Sequence, residues 1–141
     1  MSDVKLFFDN CIGSPISDAI GNMLRFHNVK PVVRHIKEYF DQSTPDDIWI
    51  PQIAKEGWIV ITADKAKRYG GPKLPTICKN EKLTHILISG KLHNAPQFEK
   101  ARAIISLFPK IVTAAKEPSG TRYSMHYTGE RSLMLERKET S

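Results

Sequence analysis

The run Trp58-Ile59-Val60-Ile61-Thr62 constrains this chain more than any other feature. It is continuous, apolar and β-branched, the pattern of a strand buried on both faces. Such a strand needs neighbours on each side and a helical layer above and below. Residues 4–8 (VKLFF) and 83–89 (LTHILIS) read as further strands, the first stopped by Asp9-Asn10-Cys11. Residues 29–36 supply another, and Pro31 near its start suits an edge position.

Helical patterns lie between these strands. Gly13-Ser14-Pro15 predicts a turn into a helix, with Ser14 as N-cap and Pro15 at the first helical position. Ile16, Ala19, Ile20, Met23 and Leu24 then give that helix one apolar face. Thr44-Pro45-Asp46-Asp47 opens a second helix, capped by Thr44 or an aspartate, restarted at Pro51 and ended by Gly57. Residues 96–108 carry an apolar stripe of Phe98, Ala101, Ile104, Ile105 and Phe108. Residues 111–114 predict a short strand. Residues 121–127 and 132–137 predict a β-hairpin about Thr128-Gly129-Glu130.

Strands alternating with helices predict an α/β fold, a three-layer αβα sandwich with a mainly parallel sheet and a C-terminal hairpin. The 141 residues suit one domain. Its core spans about residues 4–115, and the hairpin extension about 116–137. No apolar run approaches the roughly 20 residues that cross a bilayer. The opening MSDVKLFFDN lacks a secretory pattern. Cys11 and Cys78 are too few for a disulfide framework and form no CxxC pair for zinc. The expectation is a reduced, cytoplasmic protein with no membrane partner.

Charge is uneven. The net charge is +6. Residues 1–64 hold 6 basic and 9 acidic side chains, residues 65–102 hold 9 and 2, and residues 103–141 hold 6 and 4. An acidic half suits a cation and a basic middle suits a polyanion. On charge alone, a merely asymmetric surface explains the same pattern.

The aspartates sharpen this. Asp9 ends the first strand and Asp64 follows residues 58–62. Asp46 and Asp47 open the helix leading into that second strand. In a parallel sheet all of these meet at one rim, where ligands bind beyond the carboxyl ends of the strands. Clustered carboxylates repel unless a cation sits between them. Hard oxygen donors suit Mg²⁺ or Mn²⁺, which can activate water and stabilise phosphate charge. Spacing alone leaves open a second reading, in which these aspartates are turn formers and caps.

LFFDN, TPDDIWIPQIAKEGWIVITAD and the interval between them resemble the compact PIN-like domains. These are short relatives of the PIN nuclease domain, often toxin components of bacterial toxin–antitoxin modules. The resemblance covers about residues 4–115. It implies a metal-dependent endoribonuclease using Mg²⁺ or Mn²⁺, with RNA as substrate and an antitoxin protein or a second copy of the chain as partner. Its acids correspond to Asp9, to Asp46 or Asp47, and to Asp64, with Asp46 favoured by its spacing to Trp49. Larger PIN domains carry a further acid; Glu38 and Asp41 lie in the interval where it would fall.

Lys65, Lys67 and Arg68 follow Asp64 where compact relatives often carry another aspartate or a phenylalanine. They are placed to grip phosphates, or else form an ordinary basic cluster at a helix end. Asn10 is a candidate to hold water or phosphate, or else a turn residue, and Thr62 either orients a ligand or water or only packs and hydrogen-bonds locally. Lys73, Lys79, Lys82 and Lys91 read as solvated. The five histidines show no metal-binding spacing, and Trp49 and Trp58 read as core. Two other classes stand beside the nuclease. One is a non-catalytic nucleic-acid-binding module. The other is a phospho-acceptor domain using Asp64, Ser89 and Lys91.

Overall fold

The computed structural model describes residues 4–63, 74–129 and 132–138. Strands β1 (Lys5–Phe8), β2 (Val32–His35), β3 (Ile59–Thr62) and β4 (Thr84–Ile88) alternate with helices α1 (Ser14–Leu24), α2 (Asp46–Ala54) and α3 (Leu74–Asn80). Helices α4 (Gln97–Ser106) and α5 (Phe108–Ala114) follow, then β5 (Arg122–Tyr127) and β6 (Leu133–Lys138). The sheet order is β2-β1-β3-β4-β5-β6. The first five strands are parallel and β6 pairs antiparallel with β5.

The apolar runs place the strands. All four residues of β3 are buried, because β3 lies between β1 and β4 and has helices on both faces. Leu6, Phe8, Ile59, Ile61, Ile86 and Ile88 face one way and pack with Ile20, Leu24, Ile104, Phe108 and Ile111 of α1, α4 and α5. Phe7 and Val60 face the other way, onto Trp49, Ile50 and Ile53 of α2 and Ile77 and Cys78 of α3. Each such fully buried side chain stabilises the fold by about 1.5–3 kcal/mol. β2 is an edge strand, as Pro31 implies. Helix α1 approaches it closely at Gly21, where a Cβ would stand 3.4 Å from Val33 Cβ.

Several local expectations are corrected. Residues 111–114 are helical, not a strand. Phe108, Ile111 and Ala114 recur every third residue on one buried face, and Pro109 fits the first turn, where its missing N–H costs nothing. The sheet position beside β4 is filled by β5. The hairpin is accordingly no appendage: β5 continues the parallel sheet and β6 closes its edge. The N-cap of α1 is Gly13, with Ser14 inside the helix, and that of α2 is Pro45. Helix α2 runs unbroken through Pro51, and the burial of Trp49, Ile50 and Ile53 offsets the roughly 3 kcal/mol that an interior proline costs.

The α2/α3 face changes character across the sheet. One register row reads Phe7, Val60, His85, Arg122, Lys138, from apolar at β1 to charged at β6. The next reads Thr62, Leu87, Ser124, Glu136.

Candidate functional site

Asp9 leaves β1 at the carboxyl edge of the sheet and is 8% exposed. The loop after it is a tight turn: the Cys11 amide donates to Asp9 Oδ1 at 3.0 Å, and the Ile12 amide to the Asp9 carbonyl at 3.1 Å. Asp46 stands in the first turn of α2, where the helix dipole favours a carboxylate. The Trp49 indole Nε1 donates to Asp46 Oδ1 at 3.0 Å, a reach of one helical turn. Each carboxylate is thus oriented by an N–H donor, as metal-binding carboxylates require.

Both acids also bear on a third side chain. Burial pushes the Cys78 thiol on α3 well above its ordinary pKa, and the negative fields of Asp46 and then Asp9 push it further, against a smaller opposing effect of Arg122. Both carboxylates thus disfavour the Cys78 thiolate. Asp47, the neighbour of Asp46, is exposed. Asn10 is exposed beside Asp9. Asp64, Lys65, Lys67 and Arg68 lie outside the described residues.

Thr62 has the local packing and hydrogen-bonding role, one of the two its sequence position allows. It is fully buried, and its Oγ1 lies 2.9 Å from His85 Nε2, so it offers no surface to a ligand. His85 is buried and its Nδ1 has no partner among the described residues. Burial, with Arg122 nearby, holds its pKa down to about 3, so the imidazole is neutral. Glu38 does not supply a further acid to the rim. Its carboxylate accepts the His35 amide at 2.7 Å in a reciprocal capping box over a short 3-10 turn.

Two residues that hold the Asp9 loop had no assigned role in the sequence. His35, at the end of β2, has Nε2 2.6 Å from the Ile12 carbonyl and accepts the Lys37 amide at Nδ1. These contacts fix a neutral ring that donates through Nε2. From the opposite side, Gln97 of α4 donates through Nε2 to the Cys11 carbonyl at 3.2 Å and accepts the Gly13 amide at 3.1 Å. The His35-x-x-Glu38 spacing is the one sequence signal for the first clamp. No signal marks Gln97, which acts 84 residues from its partner.

A family model described as PIN like domain matches residues 4–81. The chain belongs to the PIN-like domain family. No curated protein and no solved structure matches it. The matched span of this PIN-like domain runs from the start of β1 to just past α3. It contains Asp9, Asp46 and Asp64 and leaves β4, β5 and β6 outside. The fold is of nuclease type. No helix among the described residues is long and apolar enough to cross a membrane.

The carboxylates at the rim are hard donors of the kind Mg²⁺ and Mn²⁺ take, usually with several waters retained. Among the described residues, no group of three or more His, Cys, Asp and Glu side chains is placed to hold a metal. Asp64 lies outside those residues.

Proposed function

We propose that this PIN-like domain is a Mg²⁺- or Mn²⁺-dependent endoribonuclease that hydrolyses phosphodiester bonds in RNA, as the toxin of a cytoplasmic toxin–antitoxin module. The observation that carries this reading is that Asp9, just after β1, and Asp46, in the first turn of α2, come from separate elements at the carboxyl edge of the sheet, each held by an N–H donor. Asp9, Asp46 and Asp64 hold the ion, with Asp47 the nearest substitute for Asp46. The bound ion would supply an activated water and positive charge at the scissile phosphate.

The chain's own groups do the rest. The Cys11 amide and Trp49 indole aim the two carboxylates, and His35 and Gln97 hold the Asp9 loop against them. Asn10 and the basic segment Lys65, Lys67 and Arg68 bind phosphates beside the acids. The partners are RNA, an antitoxin protein and a second copy of the chain.

The test is cleavage of end-labelled RNA by the full chain. Mn²⁺ should support cleavage, EDTA should abolish it, and D9N, D46N and D64N should each be inactive. A second reading, a non-catalytic nucleic-acid-binding module, draws on the basic continuation Lys65, Lys67 and Arg68 after Asp64. RNA binding that persists in EDTA with no cleavage under any condition is its expected result. Co-purification with the product of an adjacent small reading frame tests the toxin assignment.

A further inference from the structure

A second polar site lies on the same rim, outside the span matched by the family. A groove of about 600 Å³ opens over β5 and β6 on the α2/α3 face, where the register rows have turned from apolar to polar. One line of contacts runs along it. Ser89 Oγ is 2.6 Å from Ser124 Oγ, and Ser124 Oγ is 3.0 Å from His126 Nδ1. His126 Nε2 faces Glu136 Oε1 at 3.7 Å, and Lys138 Nζ donates to the same oxygen at 3.1 Å. Strand geometry builds the line. Ser124 and His126 are two apart on β5 and share a face, and Glu136 stands opposite Ser124. Ser89 follows β4 and precedes Gly90, whose φ of +62° turns the chain so that Lys91 joins the groove wall.

The line has a direction. Glu136 favours a proton on His126 Nε2, which leaves Nδ1 an acceptor. Ser124 then donates to His126 and accepts from Ser89, so both hydroxyl protons are engaged within the line. Protonating His126 reverses the two hydroxyl bonds and leaves those to Glu136 unchanged. Nδ1–H donates to Ser124, Ser124 donates to Ser89, and the Ser89 proton turns outward. One proton on the imidazole thus converts the far hydroxyl from acceptor to donor and adds a positive charge beside Lys91 and Lys138. Among the described residues, the charged and titratable groups that line the groove with His126 are Glu136 and Lys138 from β6, Lys91 from the turn after β4, and Tyr127 on β5. Tyr127 donates its hydroxyl to Glu99 of α4. Two lysines against a single carboxylate, with a reversible hydroxyl pair, suit a phosphate and not a cation.

We propose that this groove is a phosphate subsite for the RNA strand acted on at the carboxylate rim, armed by protonation of His126. The inference rests on the nuclease reading for the identity of the strand. Ser89 and Asp9 both follow parallel strands at the same edge, two strand spacings or about 10 Å apart, so one strand of RNA can reach both. The phosphate is either an internal phosphodiester or a 5′-terminal monoester.

The test is the His126 ring titration followed by NMR on the full chain in EDTA, at constant ionic strength. The probes are inorganic phosphate and short single-stranded RNAs with a 5′-phosphate or a 5′-hydroxyl. Phosphate should raise the His126 pKa by about half a unit, a roughly threefold linkage between proton and ligand. Replacing Ser89 and Ser124 together by alanine should remove most of that rise, and D9N should leave it intact. A rise with the 5′-phosphorylated RNA alone assigns the subsite to the strand end, and a rise with both RNAs assigns it to an internal phosphodiester. A His126 titration unmoved by phosphate and by either RNA overturns the proposal. If phosphate moves His126 while the wild type cuts no RNA in Mn²⁺, the subsite stands and the nuclease reading falls.

Discussion

His35 Nε2 lies 2.6 Å from the Ile12 carbonyl and ties the end of β2 to the loop that carries Asp9. The contact is buried and joins positions 23 residues apart. It makes the position of Asp9 depend on a side chain that cannot itself touch a substrate at the rim.

Loosening either clamp should therefore impair catalysis as well as stability. His35→Ala leaves the Ile12 carbonyl and the Lys37 amide without this partner and should cost about 1–3 kcal/mol in urea melts. Gln97→Ala removes an exposed clamp and should cost about 1 kcal/mol or less. Both should lower kcat for RNA cleavage severalfold or more. Full activity in both variants would show that the loop holds its shape unaided.

The Thr62–His85 pair sets an acid limit on the fold. His85 has a folded pKa of about 3 against 6.5 for the free side chain, so the unfolded chain binds more protons between those values. Stability from the neutral ring is fully present above pH 6.5 and is lost as pH falls towards 3, at up to about 1.4 kcal/mol per pH unit. The double variant Thr62→Val with His85→Leu should show a flatter acid limb in denaturant melts taken from pH 7 to pH 4. An unchanged slope would mean that His85 is accessible to protons in the native state.

The two cysteines should differ sharply towards a thiol reagent. Cys11 is half-exposed, whereas Cys78 is buried beneath two carboxylates that disfavour its thiolate. One fast labelling event is expected in the native protein, absent in Cys11→Ser. Cys78 should react at the rate of unfolding. Rapid labelling of Cys78 would contradict its place under the rim.

Much of the fold was legible because the strands write themselves in apolar runs. The continuous burial of residues 59–62 predicts a central strand, and Pro31 predicts an edge. Asp9 and Asp46 could be placed on one rim because parallel topology sends both to the carboxyl edge. What sequence hid was decided by distant partners. Residues 111–114 are β-branched enough for a strand, yet tertiary packing of Phe108, Ile111 and Ala114 makes them a helix. Thr62 reads as a strand-end hydroxyl open to a ligand or to a local bond, and only the fold reveals His85 across from it. Gln97 is an ordinary polar residue until the Asp9 loop is seen beside it.

Calorimetric titration with Mn²⁺ tests the central claim most directly. Asp9→Asn and Asp46→Asn are isosteric changes that retain an oxygen for the Cys11 amide and the Trp49 indole while removing charge. The wild type should bind Mn²⁺, and each of these variants should bind at least about tenfold more weakly, a loss of roughly 1.4 kcal/mol. Asp47→Asn should bind as the wild type does. Equal affinity in all four proteins, or no binding heat in the wild type, would contradict a divalent site built on Asp9 and Asp46.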